Sequence, residues 1–500
     1  MRALKVYTSN NLENLARRLA GVVESPLSSP TEPEVILVQS RGMERWIAME
    51  LARLHGVWAN CRFPFPNTFL KELFAHVVPG YPASDLFEPG VMAWKIMSLL
   101  PSLIERKGFE ALKHYVGGSR GTLRPYQLCR RIADVFDQYL VFRPGMIFRW
   151  EKGEESHWQA QLWREMTRGE TALHRARLAR TFVEAVAKEG LKGIPGIPER
   201  ISLFGISALP RFHMEILAGI ARFVPVHVFL LNPCREYWGD ILSDREIRRT
   251  AIKSRRGTVP VDSLHLERGN ALLSSMGALG REFFDLIYEF EYEEFPDFVE
   301  PEEHSILALV QSDILHLREP DEAPGGGTVT PLDPSIQVHS CHSPMREMEV
   351  LKDHLLQMFE NDPDLKPRDI LVMTPDIETY APYVQAVFDL PPEDPGRIPY
   401  SIADRGTRKE SEVIDAFLSV LDLAGGRFGS SQVLALLDRK ILRDAFGLEQ
   451  TDLPAVRRWV RETRIRWGID RENRRELGLP ALEENTWKSG IDRLLLGYAM

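Results

Sequence analysis

The segment that most constrains the fold is residues 34–56, EVILVQSRGMERWIAMELARLHG. Its apolar run Val35–Val38 is typical of a strand that is buried on both faces. A turn that contains Gly42 follows, and apolar residues then recur at helical spacing. A strand that passes through a glycine turn into a helix, near the start of a chain, is the position of the phosphate-binding loop in nucleotide-hydrolysing proteins.

The turn itself lacks the residues that bind phosphate. A phosphate loop has the pattern G-x-x-x-x-G-K-[ST], whose backbone amides surround the phosphates and whose lysine neutralises them. Residues 39–42 are Gln-Ser-Arg-Gly, without a Gly-Lys pair. After the later strand ISLFGI, Ile206 and Ser207 occupy the turn where an acidic pair would hold magnesium. We therefore predict no ATPase or nuclease site, although a different nucleotide site built from Ser40 and Arg41 stays open as an alternative.

The first two thirds of the chain alternate between α/β and helical patterns. Residues 1–78 predict a β-α-β-α order, and residues 200–325 return to the same rhythm. The stretch between them, residues 79–199, shows only helical periodicity. An α/β sheet that is interrupted by helices and then resumes indicates one domain inserted into another.

A second α/β core is predicted after a linker. Residues 319–335, EPDEAPGGGTVTPLDPS, are dense in proline, glycine and acidic residues, which is typical of a linker. Within residues 330–405 the segments IQVHSCH, DILVMTP and IPYSIAD read as strands that alternate with helices. Residues 406–500 return to a helical pattern.

Composition limits the classes of function. A chain of 500 residues exceeds what one core usually supports, so we expect two to four domains. The net charge of −9 argues against binding nucleic acid through bulk charge but not against a local basic channel. No stretch is apolar enough to span a membrane, and the start MRALKVYTSNN lacks the apolar core of a secretory signal, so we expect a cytoplasmic location. The four cysteines are widely spaced and predict neither disulfides nor a zinc site.

Two local clusters allow more than one interpretation. His339, His342 and His354 could share a metal, but no carboxylate motif accompanies them, so packing or turn roles are favoured and we assign no metal site. Residues 456–475, VRRWVRETRIRWGIDRENRR, interleave eight arginines with Trp459 and Trp467. Arginine for phosphate and tryptophan for base stacking suit single-stranded DNA, whereas an amphipathic helix with buried tryptophans explains the same pattern.

Nine segments, taken in chain order, closely resemble the RecC family, the gamma subunits of exodeoxyribonuclease V. The segments are VILVQSRGMERW, ADVFDQYLVFRP, FGISALP, NPCREYWGD, SCHSPMREMEVL, PRDILVM, YSIADR, RWGID and LLLGYAM. The resemblance runs from residue 2 to the last residue and implies that the chain corresponds to the N-terminal half of the family.

The resemblance implies an α/β fold of an inactivated superfamily 1 helicase, with two parallel-sheet cores and inserted or appended helical domains. Residues 1–78 and 200–325 would form domain 1A, residues 79–199 domain 1B, residues 330–405 the start of domain 2A and residues 406–500 part of helical domain 2B. The family belongs to the RecBCD helicase-nuclease of double-strand break repair. The expected partners are therefore RecB-like and RecD-like subunits, which would use ATP and Mg²⁺, together with a DNA end and a single strand. The half-length chain is also expected to expose apolar surface.

In this family the subunit guides the split strands and scans the 3′-ended strand for the Chi octamer. The resemblance implies ten Chi-reading positions: Gln39, Arg41, Arg45, Phe65, Lys71, Asp134, Val135, Asp137, Gln138 and Arg175. Arg41, Arg45, Phe65 and Lys71 depart from the best-known pattern, which has Thr, Gln, Leu and Trp there. Because amides read adenine and arginines read guanine, the two changes toward arginine and the loss of a stacking aromatic mean that the same octamer is not carried over to this chain.

We expect Gln39, Arg41 and Arg45 to line one side of a strand channel. The other side would be lined by Asp134, Asp137, Gln138 and Arg175. In the structural alternative, Asp137 and Arg175 only pair across helices to hold the insertion together. A protein scaffold without DNA contact is a further alternative.

Overall fold

The computed structural model describes residues 4–78, 81, 86–117, 123–169, 173–191, 194, 196–243, 245–247, 269–302, 305–319, 333–406, 408 and 411–500. The chain divides into two compact units, Met1–Gln337 and Val338–Met500, and each is considered by itself. Most of the predicted linker 319–335 lies outside the described residues.

A parallel six-stranded sheet forms the centre of the first unit. The strands are β1 Leu4–Ser9, β2 Glu34–Leu37, β3 Cys61–Arg62, β4 Ile201–Phe204, β5 Val226–Leu231 and β6 Tyr292–Pro296. Their spatial order is β3-β2-β4-β5-β1-β6, and every neighbouring pair is parallel. The α/β class predicted from the sequence is therefore confirmed for this unit.

Helices cover both faces of the sheet, as a parallel sheet requires. Before the helical block come α1 Leu12–Val23, α2 Arg41–His55 and α3 Pro66–Val77. Successive residues of β2 point to opposite faces: Val35 and Leu37 join one core cluster, whereas Ile36 joins the other. Helices α1 and α2 pack on the Ile36 face, and α3 packs on the opposite face.

The helical block has a core of its own. Its helices are α4 Pro89–Leu103, α5 Glu110–Gly117, α6 Leu123–Phe142, α7 Pro144–Glu151, α8 Trp158–Thr167 and α9 Arg175–Glu189. Trp150 and Trp163 are fully buried in this core beside Phe136. Leu178 and Phe182 of α9 instead belong to the core of the sheet domain, so α9 packs the helical block against that domain.

In the described residues of the first unit, four helices of six or more residues follow the return to the sheet. They are α10 Arg211–Ala221, α11 Ala271–Met276, α12 Ala278–Tyr288 and α13 Ile306–Leu315. Helix α10 lies on the same face as α3 and α9 and buries Phe212, Met214 and Ile216 in their shared core. Of the expected site residues, Phe65 and Lys71 lie at or in α3, and Arg175 is the first residue of α9.

The regular secondary structure in the described residues of the second unit is helical. Its helices are α14 Pro344–Asn361, α15 Ile377–Phe388, α16 Glu412–Ala424, α17 Ser430–Leu437, α18 Lys440–Ala445, α19 Leu453–Glu462, α20 Arg471–Glu476 and α21 Trp487–Ala499. Met348 and Leu355 of α14 pack against Val387 and Phe388 of α15 to form a small core.

The predicted second parallel sheet is wrong for this part of the chain. The described segments 336–342, 370–375 and 398–403 form no strand ladder. Parallel strands are stable only when they are paired and covered on both faces. Here Val338 is 93% exposed and Leu371 80% exposed, so neither has the cover that the prediction required.

Candidate functional site

The carboxyl end of β2 presents the first group of expected site residues. Val38 is buried, whereas Gln39 and Ser40 are exposed at the end of the strand. Ser40 is the N-cap of α2, and its Oγ accepts a hydrogen bond of 3.1 Å from the backbone N–H of Met43. The turn thus starts a helix on which Arg41 and Arg45, four residues apart, lie on one exposed face.

A pocket of about 640 Å³ lies against this face of α2. Its lining is Arg41, Glu44, Arg45, Ala48, Phe63 and Phe65. Phe65 is the N-cap residue of α3, with Pro66 at the first helical position. The backbone N–H of Val38 donates to the carbonyl of Pro64 at 3.4 Å, which fixes this aromatic segment beside the end of β2. Three expected site residues are therefore gathered in one pocket.

Apolar packing joins this turn to the turn after β4. Gly205 has a φ of +64°, and a Cβ at this position would lie 2.7 Å from Cε of Met43. Ile206 is buried, and the ring of Trp46 stacks on Phe204 with centroids 6.0 Å apart. The two turns that were compared with a phosphate loop and a magnesium-binding acidic pair are thus packed directly on each other.

The second group of expected residues lies on α6 and at the start of α9. Helix α6 buries Phe136 and its apolar neighbours, while Asp134, Val135 and Asp137 are partly exposed and Gln138 is exposed. Arg175, the first residue of α9, places Nη1 3.3 Å from Oδ1 of Asp137. Both the channel hypothesis and the structural alternative involve this ion pair.

A buried histidine of α10 contacts the start of α3. Nε2 of His213, on α10, lies 3.0 Å from Oδ1 of Asn67, two residues after Phe65. Burial, with a smaller contribution from the positive charge of Arg175, lowers the pKa of His213 to about 4, so the ring is neutral near pH 7. Sequence analysis did not identify His213 or Asn67. The one available signal was a polar residue within the apolar repeat of α10.

The expected residues do not form one continuous lining. The pocket beside α2 contains Arg41, Arg45 and Phe65 but none of the residues of α6 or α9. Gln39 and Lys71 are close in sequence to the pocket residues. Both are exposed, but neither lines this pocket. Two clusters, one at the end of β2 and one at the contact between α6 and α9, are therefore present in the first unit.

A polar network inside the helical block was also not predicted. Glu151 accepts hydrogen bonds from His174 Nε2 at 2.8 Å and from Arg177 Nη2 at 2.8 Å. Burial alone would raise the pKa of Glu151, but the hydrogen bonds and charges of His174 and Arg177 outweigh it and hold the pKa at about 2. Because Glu151 ends α7 while His174 caps α9, the network fixes the start of α9 and hence the position of Arg175.

The described residues contain neither a cluster of metal-ligating side chains nor a helix suited to crossing a membrane. No three His, Cys, Asp or Glu side chains are grouped in this part of the chain as a metal ion would need. Among the helices of the same residues, none combines the length and apolar character that crossing a bilayer requires.

The fold and pockets define a mixed α/β protein whose parallel sheet is interrupted by a helical block and carries a basic, aromatic pocket at the carboxyl end of a strand. Residues 4–317 match the family model described as "RecC, N-terminal domain". Residues 410–500 match the model described as "RecBCD enzyme subunit RecC fourth domain". The chain belongs to the RecC family, which confirms the resemblance inferred from its sequence motifs.

Curated relatives named "RecBCD enzyme subunit RecC" match along nearly the whole chain. The relative from Escherichia coli (strain K12) is 40% identical over 99% of this chain and 48% of its own length. The relative from Haemophilus influenzae is 34% identical over 99% of this chain and 48% of its length. The relative from Mycolicibacterium smegmatis is 33% identical over 100% of this chain and 46% of its length. The chain thus spans about half the length of these relatives.

Proposed function

We propose that this chain is a DNA-binding, non-catalytic part of an exodeoxyribonuclease V of the RecBCD type. In that complex it guides the split strands and scans the 3′-ended strand for a Chi-type signal during double-strand break repair. Membership of the RecC family supports the proposal that this chain is part of such a complex. The observation that carries the DNA-binding role is the pocket in which Arg41, Arg45 and Phe65 meet at the carboxyl end of β2.

The chemistry of this pocket suits a strand with unpaired bases. An arginine can bind guanine O6 and N7 bidentately or neutralise a phosphate, and an exposed phenylalanine can stack on a base. Gln39, at the end of β2, offers an amide of the kind that reads adenine. The carboxyl ends of parallel strands are also the usual ligand-binding edge of open α/β sheets.

The contact between α6 and α9 supplies a second set of base-reading groups in this proposal. Carboxylates such as Asp134 and Asp137 can accept a hydrogen bond from the amino group of cytosine, and Gln138 is exposed on the same helix. Arg175 is held beside Asp137, which keeps its guanidinium at the edge of the helical block. Val135 and Lys71 complete the set of proposed reading residues.

In the same proposal, the first unit is a helicase-like domain that has lost its motor. Residues 1–78 and 200–325 correspond to domain 1A and residues 79–199 to domain 1B. Residues 330–405, without a second sheet in their described part, correspond to the start of domain 2A, and residues 406–500 to part of domain 2B. The apolar contact between Met43 and Gly205 supports the lack of an ATP site, since it joins the two turns that a motor would use for phosphate and magnesium. ATP and Mg²⁺ are then used by RecB-like and RecD-like partners in the cytoplasm.

A scaffold role is the second candidate, and one surface favours it. Val413, Phe417 and Leu421 of α16, spaced by four residues, are 63%, 62% and 51% exposed. The exposed apolar surface that was expected is thus present, and such a stripe suits a protein contact. The cryptic nucleotide site has less support because Ser40 Oγ is already engaged in capping α2.

Equilibrium binding separates the three functions. We expect the chain to bind a single-stranded DNA 20-mer with an affinity that falls as salt increases, and to bind no Mg-ATP in calorimetric titration. The Arg41→Gln/Arg45→Gln variant should bind this DNA about tenfold more weakly. The matched control is Arg17→Gln/Arg53→Gln, which removes two exposed arginines of α1 and α2 outside the pocket. Salt-independent or absent DNA binding would favour the scaffold, and micromolar ATP binding would favour the nucleotide site.

A further inference from the structure

The arginine-rich stretch 456–475 divides into structural and exposed residues. Arg474 is buried, donates to the carbonyls of Leu482 at 2.9 Å and Trp467 at 3.1 Å, and places its guanidinium carbon 4.0 Å from the centre of the Trp467 ring. Arg457 pairs with Asp438. Arg457 and Arg474 thus have structural roles, in line with the interpretation of this stretch that does not involve DNA.

A different group of side chains in this stretch faces solvent. Four arginines of α19 and the turn that follows it are exposed and form no ion pair with any residue that the structure describes. They are Arg458, Arg461, Arg464 and Arg466. Trp459 lies among them on α19 and is 46% exposed. Since Val460 and Leu453 anchor the opposite face of α19, the indole and its neighbouring arginines point away from the core.

Arg464 occupies a backbone position that suits glycine. Its φ is +58°, and its N–H donates to the carbonyl of Arg461 at 3.1 Å. The N–H of Ile465 donates to the carbonyl of Val460 at 3.1 Å, which completes a helix-ending motif that normally has glycine at the left-handed residue. The fold alone would therefore favour glycine at 464, and the arginine adds a positive charge at a conformational cost.

The turn that carries these arginines is held in place on two sides. The N–H of Arg466 donates to the carbonyl of Asn485 at 2.9 Å. The N–H of Gly468 donates to the carbonyl of Arg427 at 2.8 Å, and its own carbonyl accepts from the N–H of Trp487 at 2.9 Å. The exposed charges thus project from a fixed main chain, so little ordering is needed when a ligand binds.

We propose that Trp459 with Arg458, Arg461, Arg464 and Arg466 forms a second binding surface for single-stranded nucleic acid, located in the second unit. The four positive charges suit successive phosphates, and the negative charge of Glu462 on the same helix offsets one of them. The exposed indole suits stacking on an unpaired base. An indole has no base to stack on in an intact duplex, which favours the single strand. This surface does not require the base-reading pocket beside α2.

The test uses the full chain and a fluorescein-labelled dT20 oligonucleotide, with binding followed by anisotropy over a range of salt concentrations. The Arg41→Gln/Arg45→Gln background removes the contribution of the first unit. In that background Arg458→Gln/Arg461→Gln should weaken binding about tenfold and reduce the slope of log affinity against log salt by about 1.4. Trp459→Phe should keep most of the affinity, and Trp459→Ala should lose it severalfold.

Arg464→Gly separates the ligand contact from the fold. We expect this variant to melt at the same or a higher temperature, because glycine suits the backbone, and yet to bind dT20 severalfold more weakly. Arg346→Gln/Arg368→Gln, with the same change of charge elsewhere in the second unit, should bind as the parent does. The proposal would be overturned by unchanged binding in Arg458→Gln/Arg461→Gln and Trp459→Ala. It would also be overturned by an equal loss of binding in Arg346→Gln/Arg368→Gln, or by equal affinity of the chain for a 20-bp duplex.

Discussion

Arg175 Nη1 lies 3.3 Å from Asp137 Oδ1, and the two side chains keep 21% and 24% of their surface exposed. The pair thus connects the start of α9 to α6, and part of each side chain remains exposed although Asp137 Oδ1 itself is buried. Both features matter, because the same two residues are proposed to contact the DNA strand. An ion pair that only holds two helices together need not leave part of either side chain exposed.

The first prediction is that this pair contributes little to folding. Partly exposed ion pairs typically contribute about 0.2–1 kcal/mol, because solvent screens the charges. A double-mutant cycle with Asp137→Asn, Arg175→Gln and the double variant, measured by urea unfolding, should give a coupling energy in that range. A coupling well above 2 kcal/mol would support the alternative in which the pair only holds the helical block together.

The second prediction concerns Glu151 and acid. Its pKa of about 2 in the folded protein lies below the ordinary value near 4.5, so its interactions stabilise the fold fully above pH 4.5 and are lost as the pH falls towards 2. The free energy of unfolding should therefore drop by about 3 kcal/mol over this window, through this residue alone. Glu151→Gln should be less stable near pH 7 and should lose less stability on acidification. Parallel curves for the two proteins would contradict the role of the network.

The third prediction tests the packing of the two turns. Gly205→Ala should destabilise the first unit by about 1–3 kcal/mol, since alanine disfavours a φ of +64° and its Cβ would contact Met43. Gly219→Ala, within α10 where nothing lies near an added Cβ, is the matched control and should be neutral or slightly stabilising. Equal thermal denaturation of both variants would show that the turns are not closely packed.

Sequence analysis predicted the elements whose pattern is local. The apolar runs of β1, β2, β4 and β5 each identify a buried strand. In contrast, β6 (Tyr292–Pro296) is an edge strand with acidic residues and Pro296, so it lacks the apolar pattern of a central strand. The apolar runs at 336–342 and 370–375 had strand character but found no partner strand, because pairing depends on segments far apart in sequence.

The same distinction applies to the candidate site. Arg41 and Arg45 directly follow the buried strand β2, and Phe65 follows the short strand β3, so their positions at strand ends could be expected from the sequence. The contact between His213 and Asn67 joins residues 146 positions apart, and only the packing of α10 on α3 brings them together. The network of Glu151, His174 and Arg177 likewise depends on the packing of α7 against α9, which periodicity does not specify.

The central question about the first unit is whether it reads bases. The direct measurement uses the complex of this chain with RecB-like and RecD-like subunits. The octamer to which the parent complex responds is first selected from DNA that carries random octamers. For Gln39→Ala and Asp137→Ala we expect unwinding within about twofold of the parent, while the octamer response falls by about 1–3 kcal/mol per lost base contact. Arg53→Gln, outside the pocket, should leave both activities unchanged. Full unwinding together with a full octamer response in both site variants would contradict the account.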